Sequence, residues 1–209
     1  MARMKLYGEP GWGSTLIDAQ LAWYGIEHDF EPVGDLFQSE DARRKVLALN
    51  PLGQIPTLVL PDGRVMTESA AITLHLADVT GNSTLVPAPA DPERPTFLRF
   101  LIFFVANVYP TYTYADDPAR FVAEASAQQG FKDAVTEYAK KLYSTLEHHA
   151  GAPWFLGERF SALDIYVCTM THWRPGRAWF DEHAPKLAAI ADAAEQVPQL
   201  KDVWRRNFG

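Results

Sequence analysis

Residues 50–78 read NPLGQIPTLVLPDGRVMTESAAITLHLAD. Two short β-rich runs, 57–60 and 64–67, flank Pro61, Asp62 and Gly63, a combination that predicts a tight hairpin turn. Pro56 stands at the entrance to the first run. Proline cannot donate to a ladder and fits poorly inside a sheet, so at a strand entrance it sits in a tight turn, sometimes with a cis bond. A cis bond would turn the N–H and C=O of Ile55 outward, where an extended peptide could add to the sheet edge. An ordinary loop proline is the alternative. Past the hairpin, Ala71, Ile72, Leu74 and Leu76 have helical spacing and predict a helix over 68–78, with Glu68 and Ser69 at its start. The Ser69 hydroxyl and the first helical N–H groups would hold a carboxylate, and Glu68 would hold an ammonium. That pairing suits the α-amino-acid end of a ligand. The same two residues also suit a plain helix cap.

Working outward, residues 4–7 read as a strand. Residues 15–24 read as a helix that Ser14 can cap and Gly25 ends, 28–33 as a second strand, and 39–49 as a second helix broken by Asn50 and Pro51. The order is β-α-β-α-β-β-α. Residues 81–92 are rich in Gly, Pro, Asn, Asp and Ala and read as a linker. Helical patterns follow over 95–112, 118–149, 161–173, 185–195 and 198–206, with no strand signal. The expected layout is an α/β domain over 1–80, a linker over 81–92 and an all-α domain over 93–209.

Bulk composition narrows the function. The 209 residues are 47% hydrophobic and 12% aromatic, ample for a packed core. A formal net charge of −7 argues against nucleic acid or an anionic membrane as partner. No run approaches the ~20 apolar residues of a membrane helix, and no basic-then-apolar leader pattern opens the sequence. Cys168 is the single cysteine, so no internal disulfide can form. These features are those of a cytoplasmic protein.

NPLGQIP, TESAAITLHLAD and, downstream, FLGERFSALDI (155–165) together resemble the glutathione transferase family, of cytosolic bacterial type, over essentially the whole chain. The resemblance implies a thioredoxin-like N-terminal domain, an all-helical C-terminal domain and a homodimer. It implies glutathione as co-substrate, a small hydrophobic electrophile as second substrate, and a role in detoxification. It implies that Glu68 and Ser69 bind the γ-glutamyl end, that Pro56 is cis, and that Ile55 pairs its backbone with the cysteinyl unit. Ser161 and Asp164 have capping-box spacing, a folding feature, with Phe160 and Ile165 placed for a hydrophobic staple.

In this family the turn after the first strand holds the thiolate through Tyr, Ser or Cys. Here the cysteine position falls at Gly13, the serine position near Gly11 and the tyrosine position at Tyr7. A protein mixed disulfide at this turn is therefore excluded. Ser14, by hydroxyl or backbone N–H, and Tyr7 remain as candidate donors to the sulfur, with Trp12 as a pocket wall. A serine that only caps the helix and a tyrosine that only packs are the alternatives. Gln54, Arg43, Arg44 and Lys45 are candidates for the glycine carboxylate. Phe103, Asn107, Tyr109, Tyr112 and Tyr114, on an aromatic helix, are candidates for the second-substrate pocket, although a stripe at helical spacing also suits a core. His148 and His149 have no metal-ligand spacing partner, and no metal is expected. A non-catalytic glutathione-binding protein and a glutathione-dependent disulfide reductase or peroxidase are the other function classes that these residues admit.

Overall fold

In the computed structural model, which describes residues 3–209, the first unit is built on β1 (Met4–Gly8). Its side chains alternate: Met4, Leu6 and Gly8 are buried, and Lys5 and Tyr7 lie half-buried between them. β2 (His28–Pro32) pairs parallel to β1, and β3 (Thr57–Val59) pairs antiparallel on its other side. β4 (Val65–Met66) pairs antiparallel to β3 and completes the order β2-β1-β3-β4. The β3–β4 turn closes through Gly63, whose φ is 86° and whose N–H donates to the Leu60 carbonyl at 2.9 Å. Helices α1 (Thr15–Trp23), α2 (Glu40–Leu47) and α3 (Ser69–Thr80) complete the expected β-α-β-α-β-β-α order. Met4, Leu6 and Leu58 of the sheet form a core cluster with Ile17 and Leu21 of α1 and Ile72 and Leu76 of α3. A second cluster joins Val33, Leu36 and Ile55 to Ala42 and Val46 of α2, with Tyr7 and Trp12 packed against it.

The unit boundary falls between Val86 and Pro87, inside the expected linker. Residues 194–209, expected with the helical half, belong instead to the first unit. The reason lies in α10 (Lys201–Phe208), which buries Val203 and Trp204. Its Trp204 indole donates to the Ala194 carbonyl at 3.0 Å, and Arg206 forms an ion pair with Asp18 of α1 at 2.8 Å.

The second unit, Pro87–Ala193, is helical throughout. α4 (Arg94–Phe103) runs through a π turn at Phe104–Val108 into α5 (Tyr109–Asp116). In that turn the Tyr109 N–H reaches back five residues to the Phe104 carbonyl. Pro110 has no N–H for the next helical bond, and the ladder widens just before it. α6 (Ala125–His149) starts later than the 118 expected, because Pro118 opens a separate 3₁₀ turn at Pro118–Arg120. α7 (Ala162–Thr171) is buried along its whole length. α8 (Arg177–His183), not anticipated from sequence, follows Gly176 at φ 96°. α9 (Pro185–Glu195) follows it directly.

The capping box is present. The Ser161 N–H donates to Asp164 at 2.7 Å, and the other Asp164 oxygen accepts the Phe155 N–H at 2.7 Å. Burial pushes the Asp164 carboxyl up to about 7, against the pull of these N–H groups. Phe160 packs its ring on Trp154 at 4.8 Å, and Cys168 is fully buried. Among the described residues no helix is long and apolar enough to cross a membrane.

Candidate functional site

Strand direction gathers the candidate residues at one end of the sheet. β3 runs antiparallel to β1, so Thr57 at its start lies beside Tyr7 near the end of β1. β4 runs antiparallel to β3, with Met66 opposite Leu58, so β4 ends where β3 begins and delivers Glu68 and Ser69 to the same end. Tyr7, Trp12 and Ile55 meet in the cluster on the α2 side of the sheet.

The Ile55–Pro56 bond is cis. The loop before it is fixed by Asn50, whose side-chain amide donates to the Gln54 carbonyl at 2.9 Å and whose Oδ1 accepts the Leu52 N–H at 3.1 Å. The Thr57 hydroxyl donates to the same Gln54 carbonyl at 2.9 Å. The Ile55 side chain is buried, whereas its backbone N–H and C=O have no partner among the described residues. These are the two groups an extended ligand would use.

Glu68 is the one non-glycine residue with positive φ among the described residues, at φ 65° and ψ 102°. A side chain rarely adopts that conformation unless its surroundings impose it, and such outliers cluster at ligand sites. Its carboxylate is exposed and makes no ion pair or hydrogen bond with the described residues. Ser69, the first residue of α3, is 7% exposed, and its hydroxyl has no partner among them either. An acidic group, a hydroxyl and a helix N-terminus therefore stand together with their hydrogen-bonding capacity unused.

The β1–α1 turn behaves differently. Ser14, expected to cap α1 or to point at a sulfur, makes no side-chain cap bond. Its hydroxyl donates to the Glu9 carbonyl at 2.9 Å and accepts the Glu9 N–H at 3.0 Å, and the residue is fully buried. The hydroxyl is committed to closing the turn and is not available as a donor to a ligand. Gly8 permits this approach: a Cβ there would lie 2.2 Å from the Ser14 Cβ. The N–H groups of Gly13 and Ser14 engage no acceptor among the described residues. They sit at the positive end of α1, where an anion is favoured. Trp12 is half-buried, its ring 5.3 Å from Phe37, and its indole N–H has no partner among the described residues. The Tyr7 ring packs in the α2-side cluster with the Lys45 ammonium 6.0 Å from its centroid.

Of the candidates for the glycine carboxylate, Arg43 donates to the Leu36 carbonyl at 3.2 Å and Arg44 pairs with Asp41. Lys45 pairs with Glu31 at 2.7 Å. Gln54 is exposed, and its side chain has no partner among the described residues. Of the aromatic helix, Tyr112 is a core residue and not a pocket residue. It is buried, and its hydroxyl contacts the Tyr143 hydroxyl and donates to the Arg174 carbonyl at 3.0 Å. Burial raises the hydroxyl titrations of both Tyr112 and Tyr143. Phe103 packs on Phe100, Tyr109 packs on Trp173, and Asn107 lies half-buried in the π turn. Tyr114 is 41% exposed and stands edge-on to Phe121 at 5.0 Å.

Five residues that shape the turn, Glu9, Asp18, His28, Arg206 and Asn207, were not singled out in the sequence. Glu9 ties it to the loop after β2, accepting the Gly34 N–H at 2.7 Å. Asp18, fully buried in α1, accepts from Arg206 at 2.8 Å, from His28 Nε2 at 3.2 Å and from Asn207 at 3.2 Å. Burial alone would raise the Asp18 carboxyl, but the bonds from His28 and Arg206 outweigh it and hold it below its ordinary value. Burial would lower His28, but Asp18 and the Ile26 carbonyl at its other ring nitrogen raise it. An imidazole between two acceptors is best satisfied when both nitrogens carry protons. Asp18 at a position flanked by Leu16, Ile17, Ala19 and Leu21 was the available signal, since a carboxylate there needs a partner from elsewhere.

This combination, a thioredoxin-like sheet with an open acceptor-and-amide cradle at one end and a separate helical unit, has close counterparts among known proteins. The glutathione S-transferase N-terminal domain family matches residues 17–79, and the glutathione S-transferase C-terminal domain family matches residues 106–204. The chain is 44% identical over 206 residues to the uncharacterized GST-like protein YncG of Escherichia coli (strain K12), covering 98% of each. A glutathione transferase homolog from sulfitobacter with bound glutathione has the same fold, with a TM-score of 0.84 at 21% identity over 98% of each chain. A sphingomonad glutathione S-transferase complexed with glutathione aligns with a TM-score of 0.74 at 26% identity, covering 96% of this chain and 97% of that one. The protein belongs to the glutathione S-transferase family. Within that family it has glycine, not cysteine, at position 13 and a serine at position 14 whose hydroxyl is internally bonded.

Proposed function

We propose that this protein is a glutathione transferase that joins glutathione to small hydrophobic electrophiles or uses it to reduce them. The γ-glutamyl carboxylate binds the Ser69 hydroxyl and the N-terminal amides of α3, and the γ-glutamyl ammonium binds Glu68. The cysteinyl unit pairs with the backbone of Ile55, and Gln54 takes the glycine carboxylate. The sulfur meets the Gly13 and Ser14 N–H groups, with Trp12 as the wall and Tyr7 as second donor. Hydrogen bonds to a charged acceptor contribute about 1.5–3 kcal/mol each, enough to favour a thiolate over a thiol at neutral pH. Phe103, Asn107, Tyr109 and Tyr114 are the candidates to receive the electrophile. The assembly is a homodimer in the cytoplasm.

The observation that carries this reading is the junction at Glu68 and Ser69. An exposed carboxylate in a strained backbone conformation and an unused hydroxyl on an otherwise buried serine share one helix start. Calorimetry with glutathione tests it. Ser69→Ala should weaken binding by roughly 1–2 kcal/mol with the melting temperature little changed; equal affinity in the two proteins removes the assignment. A second reading, a glutathione-binding protein without turnover, is favoured by the commitment of the Ser14 hydroxyl to Glu9. Turnover of chlorodinitrobenzene and cumene hydroperoxide, set beside glutathione affinity, separates the two.

A further inference from the structure

We propose that Asn207 is a positioning residue for the thiol-binding turn, holding residues 11–15 so that the Gly13 and Ser14 amides keep their aim. The proposal rests on the reading just given and adds a residue from the far end of the sequence to it. The Asn207 Oδ1 accepts the Gly11 N–H at 3.1 Å and the Thr15 hydroxyl at 2.9 Å. One oxygen thus grips the turn two residues before and immediately after the pair, Gly13 and Ser14, whose N–H groups are unengaged. Its Nδ2 donates to Asp18 at 3.2 Å and to the Val203 carbonyl at 2.9 Å. Flipping the amide would set its NH₂ against the Gly11 N–H and its oxygen against the Asp18 carboxylate, so the neighbours fix its orientation.

The turn is fitted to this grip. Gly11 has φ +78°, and a Cβ there would lie 3.1 Å from the Asn207 carbonyl oxygen and 3.7 Å from the Phe208 ring. The backbone of α10 therefore lies directly against the turn. Arg206 alone would fasten α10 to α1, through Asp18. What Asn207 adds is the bond to Gly11, which lies outside α1 and on the loop that carries Trp12. A turn of two glycines around a tryptophan has wide conformational freedom, and an external bond at Gly11 removes part of it. Placement errors at a reacting centre cost rate more than they cost affinity, because the remote parts of the ligand still bind.

The test compares wild type with Asn207→Ala, Asn207→Asp and Arg205→Ala. Asp keeps the acceptor for Gly11 and Thr15. Arg205 is an exposed neighbour paired with Asp202 of its own helix. In Asn207→Ala the Gly11 amide should exchange with solvent on the order of tenfold faster by NMR, as expected when a local bond is lost. With chlorodinitrobenzene, kcat should fall about fivefold or more, while KM for glutathione moves less than about twofold. Thiolate absorbance of bound glutathione should titrate at higher pH than in wild type. Asn207→Asp should recover both the Gly11 protection and most of kcat, even where its melting temperature is lowered by the new oxygen facing Asp18. Arg205→Ala should match wild type. Unchanged Gly11 exchange in Asn207→Ala overturns the proposal, as does an Asn207→Asp variant no better than Ala in kcat. If wild type binds no glutathione, the proposed function fails, and Gly11 exchange still decides whether Asn207 holds the turn. If Asn207→Ala does not fold, the Asp variant against wild type decides by Gly11 exchange and the thiol titration.

Discussion

Two strand-to-helix junctions in the first unit each carry a serine at the helix start, and the protein uses them in opposite ways. At the end of β1, Ser14 is fully buried, with its hydroxyl bonded twice to the backbone of Glu9. At the end of β4, Ser69 is 7% exposed, with its hydroxyl unused among the described residues and a strained, exposed Glu68 before it. The difference originates in the residue that ends the strand. Gly8 lets the chain turn back close enough for Ser14 to bond Glu9, whereas β4 passes through Thr67 and the twisted Glu68 with no such closure. A serine at a helix N-terminus is therefore a stitch in one place and an open donor in the other. The backbone before it, not the serine, decides which.

The comparison breaks most visibly at Gly8. Gly8→Ala places a methyl 2.2 Å from the Ser14 Cβ and should destabilise the protein by about 3 kcal/mol or more, read by urea denaturation. A loss below about 1 kcal/mol would mean that the close approach is not real. Next come the serines themselves. Ser14→Ala should cost about 1–2 kcal/mol of stability, because the half-buried Glu9 N–H loses its acceptor and the Glu9 carbonyl is left with the Trp12 N–H alone. It should leave the titration of bound glutathione thiol unmoved. Ser69→Ala should instead leave stability little changed and weaken glutathione binding, and matching effects from both variants would erase the distinction between the two junctions.

Glu68→Gly sharpens the contrast from the other side. Relieving a positive-φ side chain should stabilise the fold by about 1 kcal/mol while weakening glutathione binding. A variant that is less stable than wild type would show that Glu68 is not strained. The smallest effect is that of pH, and it belongs to the first junction alone. His28 is raised above its ordinary 6.5, so its contribution is full below 6.5 and is lost as pH rises through the raised value. Asp18 is lowered below 3.8, so its contribution is full above 3.8 and is lost as pH falls through the lowered value. The stability gap between wild type and His28→Asn should therefore be widest between 3.8 and 6.5 and narrow above that range. Urea midpoints near pH 6 and pH 8.5 check the sign, which a gap widening toward alkaline pH would refute.

Local chemistry made the first 80 residues legible. The Pro-Asp-Gly turn, the strand runs beside it and the helical spacing of Ile72 and Leu76 each act over a few residues, and each appears where the sequence places it. The second unit was legible as helices but not in its joints. The π turn before Pro110 and the 3₁₀ turn at Pro118–Arg120 follow from proline's missing N–H, yet hydropathy periods run straight through both. The short α8 fell within a Trp- and Arg-rich stretch whose partners come from elsewhere, such as Asp192 for Arg177 at 2.9 Å. Tyr112 read as a pocket residue because a tyrosine's polar tip suits a half-wet cleft. Inside the unit, Tyr143 and the Arg174 carbonyl, 31 and 62 residues away, satisfy that tip instead.

The sequence alone determined the strand and helix order, the family, the capping box at Ser161 and Asp164, and the placing of Ile55, Glu68 and Ser69 at element ends, because each of these is written in residues close together in the chain. Tertiary structure decided which hydroxyl is open, which tyrosine is core, and that residues 194–209 pack with the first unit. It also decided that an asparagine 196 positions away from Gly11 holds the first turn. Hydrogen-bond satisfaction is a property of neighbours in space: a serine, a tyrosine or a buried aspartate has the same capacity wherever it stands, and only the packed chain determines what uses it.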